Sequence, residues 1–136
     1  MADTPLHFKT IVEMASLIES KALSPVEVTE SALERINQQD PQYKSYATVM
    51  ADQARASARA AEQAIAAGNY LGPLHGVPIA VKDLCFTRGV ATMGATKALM
   101  DHVPDFDCTV VQRLNAAGAV ILGKLNLTEG AMAGYN

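Results

Sequence analysis

The chain has 136 residues, 49% of them hydrophobic and 18% charged, with a net charge of −3. Enough apolar mass is present to bury a core, so the composition predicts one soluble globular unit and excludes a disordered segment. Lysine and arginine are scattered, with neither the basic stripe of a nucleic-acid binder nor a basic amphipathic membrane helix, and no apolar stretch approaches the ~18 residues of a membrane span.

The N-terminus, Met1 to Thr10, lacks the apolar segment of a secretory signal, so a cytoplasmic protein is expected. Thr10 to Glu13 reads as a capping box, followed by Met14, Leu17 and Ile18 on one helical face. Ser24 to Glu27 reads as a second box, with Pro25 at the favoured first helical position. That helix carries Thr29, Leu33 and Ile36 at helical spacing and is predicted to stop before Pro41. Ser45 to Met50 alternates as a short strand would. Asp52 is the predicted cap of an alanine-rich helix that ends at Gly68, with Ala54, Ala58, Ala61 and Ile65 facing inward.

From Gly68 to Gly76 glycine and proline cluster and mark a turn. Residues 1–70 are thus mainly helical, and 71–136 begin a sheet. Pro78 suits the first position of a strand running to Lys82. Asp107 is the predicted cap of a helix containing Val110, Val111, Leu114 and Ala117, closed by Gly118; Ala119 to Leu122 follows as a second buried strand. Strand, helix, strand is a βαβ crossover, which predicts an α/β fold with these two strands parallel. The connection from Asp83 to Phe106 exceeds the ~12–15 residues above which structureless loops are uncommon in compact domains and usually functional or disordered.

In open α/β sheets ligands bind outside the carboxyl ends of parallel strands, and Lys82 occupies such an end. Two readings of it compete. Its stem packs and its head reaches water, paired with Asp83; or it is buried and neutral. Free lysine titrates near ~10.4, and burial among Ile79, Val81 and Leu84 would disfavour the charge. A neutral amine can take a proton from a hydroxyl within hydrogen-bond reach.

Other motifs carry less. Gly118 to Lys124 matches GxxxxGK, but Leu125 stands where a phosphate-binding loop needs Ser or Thr, and the intervening residues read as a strand. Asp101, Asp105 and Asp107 with His102 lack the spacing of a metal loop, and no metal site is expected. His7, His75 and His102 form no ligand pattern. Cys85 and Cys108, the only cysteines, are expected to be reduced, with Cys85 a small buried residue rather than a nucleophile. None of Ser16, Ser20, Ser24, Ser31, Ser45 and Ser57 has the flanking glycines of a nucleophile turn.

The segment "GPLHGVPIAVKDL", Gly72 to Leu84, resembles a core motif of the amidase signature hydrolases. The likeness continues through "GVATMGATKAL" and "DCTVVQRLNAAGAVILGKLNLTEGAMAGYN", and back into "ALSPVEVTESALERI". The resemblance implies hydrolysis of a small-molecule amide by a Ser–cis-Ser–Lys triad, without a cofactor. It gives Lys82 the role of base. It also implies that both serines and the glycine-rich signature lie downstream of Asn136, so that 1–136 is the N-terminal portion of one amidase domain, inactive by itself. Thr128 to Gly134 is expected to line the substrate cleft. A sheet cut short would leave open edges, which predicts poor solubility in isolation and pairing with a completing chain or a second copy. Two further readings stay open: the amide-transferring subunit of a tRNA-dependent amidotransferase, and a non-catalytic interaction module that adds a strand to another protein.

Overall fold

The computed structural model describes residues 4–131. Among these residues the α-helices are α1 (Ile11–Glu19), α2 (Pro25–Tyr43), α3 (Ala51–Ala66) and α4 (Thr109–Ala116), and the strands are β1 (Tyr46–Val49), β2 (Pro78–Lys82) and β3 (Val120–Leu125). The strand order is β1-β3-β2. β2 and β3 are parallel, as the βαβ pattern predicts, and β1 runs antiparallel to β3.

The helix starts follow local chemistry where the chain is free to obey it. Thr10 and Glu13 form the full capping box: the Glu13 N–H donates to Thr10 Oγ1 at 3.2 Å and the Thr10 N–H to Glu13 Oε2 at 2.6 Å. Ser24 accepts from the N–H groups of Val26 and Glu27, and its own hydroxyl donates to Glu62 on α3. The cap therefore also ties α2 to α3.

Three expectations are corrected by tertiary structure. α2 runs through Pro41 to Tyr43. A proline in the last turn removes only one hydrogen bond, and Asp40 compensates: its backbone carbonyl accepts from Lys44, and its side chain accepts from the N–H groups of Ser45 and Tyr46. The cap position of α3 falls on Met50, not Asp52, because the Met50 N–H is held by Leu122 of β3 at 2.8 Å and the helix must turn there. Likewise Cys108, not Asp107, precedes α4. Its N–H bonds to Phe86 at 2.8 Å, while the Asp107 side chain is taken by the Arg88 N–H at 2.7 Å.

Three apolar clusters hold the layers together. Ile18, Leu23, Val28, Ile65 and Val77 join α1, α2 and α3 to the entry of β2. Leu33, Ala54, Ala58, Val120 and Leu122 seat α2 and α3 on the sheet, where the predicted alanine face of α3 allows a close approach. Met50, Val81, Val90, Val111 and Ile121 pack α4 and the long connection onto the opposite side. β3 is buried from Val120 to Lys124, longer than the sequence suggested. Gly123 is required there: a Cβ would stand 2.3 Å from the carbonyl oxygen of Thr48 on β1.

The long connection is not a free loop. Gly89 bonds to Pro104, Thr92 to His102 and Gly94 to Asp83 through backbone N–H to carbonyl contacts of 2.9, 3.0 and 3.0 Å. Within the connection Lys97–Leu99 form a 3-10 turn, and a second turn, Glu129–Ala131, is tied to the connection by the Gly130 N–H on Gly94.

Candidate functional site

The carboxyl ends of β2 and β3 meet the long connection at three side chains. Lys124 of β3 and Asp83, which follows β2, are 0% and 1% exposed, and their charged groups lie 3.3 Å apart. The Lys124 ammonium also donates to Thr92 Oγ1 at 2.7 Å, inside the connection. Asp83 divides its carboxylate: Oδ1 faces Lys124 in a contact that is ionic rather than a well-directed hydrogen bond, and Oδ2 accepts the Met93 N–H at 3.1 Å.

A β-bulge makes this meeting possible. β2 and β3 pair Ile79 with Ile121, but Ala80 with Gly123 and Val81 with Lys124, so Leu122 is an extra residue. Strict alternation would send Ile121 and Lys124 to opposite faces; the bulge returns Lys124 to the face of Val81. Val81 and Asp83 point inward by the same alternation, and Lys82 between them is exposed.

The expectation that Lys82 is buried is thereby corrected, and so is its pairing with Asp83. The buried lysine is Lys124, and it holds the carboxylate. Among the described residues Lys82 forms no ion pair. Its backbone carbonyl accepts the Cys85 N–H at 2.9 Å, which starts a turn directly after the strand. Lys82 does lie where the sequence placed it, at the carboxyl end of a parallel strand beside the long connection.

The remaining candidates separate. Gly118 to Lys124 is no phosphate loop: Gly118 closes α4 with φ +76°, and Val120 to Leu125 lie in the sheet ladder. Among the described residues no group of three or more His, Cys, Asp or Glu side chains is arranged to hold a metal ion. Cys85 and Cys108 are free and partly buried beside one another. Burial pushes the Cys85 thiol up and Cys108 adds to this, against the opposing pull of Lys124 and Lys82. A raised thiol is a poor nucleophile at neutral pH. Of the serines, Ser16, Ser31 and Ser57 lie in helices, Ser20 and Ser24 are caps and Ser45 precedes β1. Of the expected cleft segment, Thr128 to Ala131 lies against the connection, and residues 132–134 are outside the described part.

Thr92 and Lys124 were not singled out for this role by the sequence. One signal was available: a lysine inside the apolar run Val120 to Leu125 needs an anion or a strong acceptor.

The family model described as Amidase matches residues 27–136. The chain belongs to the amidase family. A Mycobacterium tuberculosis protein named as a candidate amidase, AmiD, is 56% identical over 126 residues, 93% of this chain and 26% of that one. A glutamyl-tRNA(Gln) amidotransferase subunit from Methylococcus capsulatus is 45% identical over 131 residues, 96% of this chain and 27% of that protein. The solved peptide amidase from Stenotrophomonas maltophilia superimposes with a TM-score of 0.86 at 31% identity, covering 92% of this chain and 26% of the enzyme. The chain thus spans about a quarter of the length of these relatives. Among its described residues no helix is long and apolar enough to cross a membrane.

Proposed function

We propose that residues 1–136 form the N-terminal part of a cytoplasmic amidase that hydrolyses a carbon–nitrogen amide bond, with Lys82 as the base of a Ser–cis-Ser–Lys triad. The nucleophile and the bridging serine belong to sequence beyond this chain. The observation that carries the reading is the placement of Lys82 within the stretch that matches the amidase family, at the carboxyl end of β2 and at the root of a tied connection. The lone pair of its Nζ accepts the proton of the bridging serine, which takes the proton of the nucleophile. The nucleophile's oxygen bonds to the amide carbon, the carbon–nitrogen bond breaks, and the amine leaves with the proton returned through the same relay. Water then attacks the ester, and the acid departs.

The test uses the full-length polypeptide that carries residues 1–136. Ammonia or amine release from a panel of aliphatic, aryl and peptide amides is measured for wild type and Lys82→Ala. A loss of roughly 100-fold or more, the range of general-base contributions, is expected. Undiminished turnover in Lys82→Ala would refute the reading.

A second reading is favoured by the 45% identity to the amidotransferase relative: ammonia released from glutamine is handed to a partner instead of to solvent. Copurification with further subunits, and amide transfer to a glutamyl-tRNA, would replace hydrolysis as the physiological reaction. Residues 1–136 alone are expected to be inactive under either reading.

A further inference from the structure

We infer that Lys124, with Asp83 and Thr92, forms a positioning device that aims Lys82, an inference that rests on the amidase reading above. The three residues sit at the one point where β2, β3 and the connection converge. Asp83 is held from every side: its N–H donates to the Leu125 carbonyl at 2.9 Å, its carbonyl accepts from Gly94 at 3.0 Å, and its carboxylate takes Met93 and Lys124. The peptide that joins Lys82 to Asp83 is therefore fixed in orientation. With Asp83 drawn inward, alternation sends the Lys82 side chain to the other side, toward solvent.

Core stability alone would not require such a group. A buried ion pair usually stabilises no more than apolar residues of the same volume, because removing two charges from water is costly. An apolar pair could fill this space. It could not hold the Met93 N–H, nor bond Thr92 to β3, and the connection would lose its registration against the end of β2. The bulge at Leu122 makes the same point in the backbone, since it departs from regular pairing and puts Lys124 in register with Val81. Lys124 and Asp83 touch neither substrate nor reacting atoms on this reading; they act through the neighbour of Asp83.

The experiment separates this inference from the reading beneath it. The full-length protein is treated with a fluorophosphonate, which needs no knowledge of the natural amide: the nucleophilic serine oxygen bonds to phosphorus, fluoride leaves, and the base takes the serine proton. Lys124→Met/Asp83→Asn removes both charges together, so neither is stranded. Its maximal labelling rate should fall roughly 10- to 100-fold, the effect of a displacement on the order of 1 Å, with probe affinity within about twofold and thermal midpoint close to wild type. Thr92→Val should show a smaller fall, and Thr92→Ser, which restores the hydroxyl, should recover the rate. Wild-type labelling in a folded double variant would overturn the inference while Lys82→Ala still loses labelling. If the double variant does not fold, equal rates in Thr92→Val and Thr92→Ser would overturn it. Full labelling in Lys82→Ala would instead remove the amidase reading itself.

Discussion

Gly118→Ala tests how α4 hands the chain to β3. Gly118 has φ +76°, where alanine is strained by roughly 1–2 kcal/mol. Its missing Cβ would stand 2.4 Å from His75 Cδ2 and 3.0 Å from Cγ. The ring has little freedom to retreat: it is 3% exposed, and Nδ1 accepts the Leu71 N–H at 3.1 Å. Moving it sacrifices that bond, about 1 kcal/mol. Gly118 also receives the Gly76 N–H on its carbonyl at 2.9 Å, so a shift of the glycine instead of the ring disturbs the entry to β2. Together these give a loss of roughly 2–4 kcal/mol, or about a 30- to 700-fold fall in amide protection. Native-state hydrogen exchange on the full-length polypeptide reads it at the amides of Gly76, Val77 and Val120. Protection within threefold of wild type would refute the reasoning. His75→Ala/Gly118→Ala should recover the part due to the clash and leave the backbone part, a coupling above about 1 kcal/mol as expected for residues in contact.

Two further outcomes follow from burial. Burial lowers the pKa of His75 below its ordinary value near 6.5, so the folded protein prefers the neutral ring and the unfolded chain binds the extra proton. Its contribution is fully present above about 6.5, the unfolded value, and drains away as pH falls through the lower folded value. The thermal midpoint of the wild type should therefore fall more between pH 7.5 and 5 than that of His75→Gln, and equal slopes would refute this. Residues 1–136 expressed alone should associate, because β1 and β2 are the edges of the described sheet and Leu84, Leu99, Met100, Val103, Phe106 and Val110 are exposed around the connection. A monomeric elution profile with a sharp thermal transition would contradict that.

What the sequence made legible is what short-range periodicity encodes. The inner face of α3 and the turn at Gly118 follow from residues within one or two turns of each other, and the parallel pairing of β2 with β3 follows from the order strand, helix, strand. The misread starts of α3 and α4 share a cause. Asp52 and Asp107 are good caps in isolation, yet Met50 is fixed by Leu122 and Cys108 by Phe86, contacts made across the fold. Pro41 belongs with them, since its helical position depends on Asp40 securing Lys44, Ser45 and Tyr46.

The site turns on the same distinction. Its location was legible, because a strand, a long connection and a βαβ crossover define a carboxyl edge whatever the side chains do. Its inside and outside were not. Lys82 and Asp83 are adjacent charges, and alternation buries one of them without saying which. The decision comes from Lys124, forty-one residues after Asp83, and Lys124 reaches Asp83 only because Leu122 is an extra residue in β3. Gly123 marks an irregularity in the run Val120 to Leu125, but it does not say which residue is extra or which face the lysine takes. That lysine held the information: an ammonium group in a buried strand demands an acceptor, and Asp83 and Thr92 supply it. With Asp83 claimed from within, Lys82 is left outward and unpaired among the described residues.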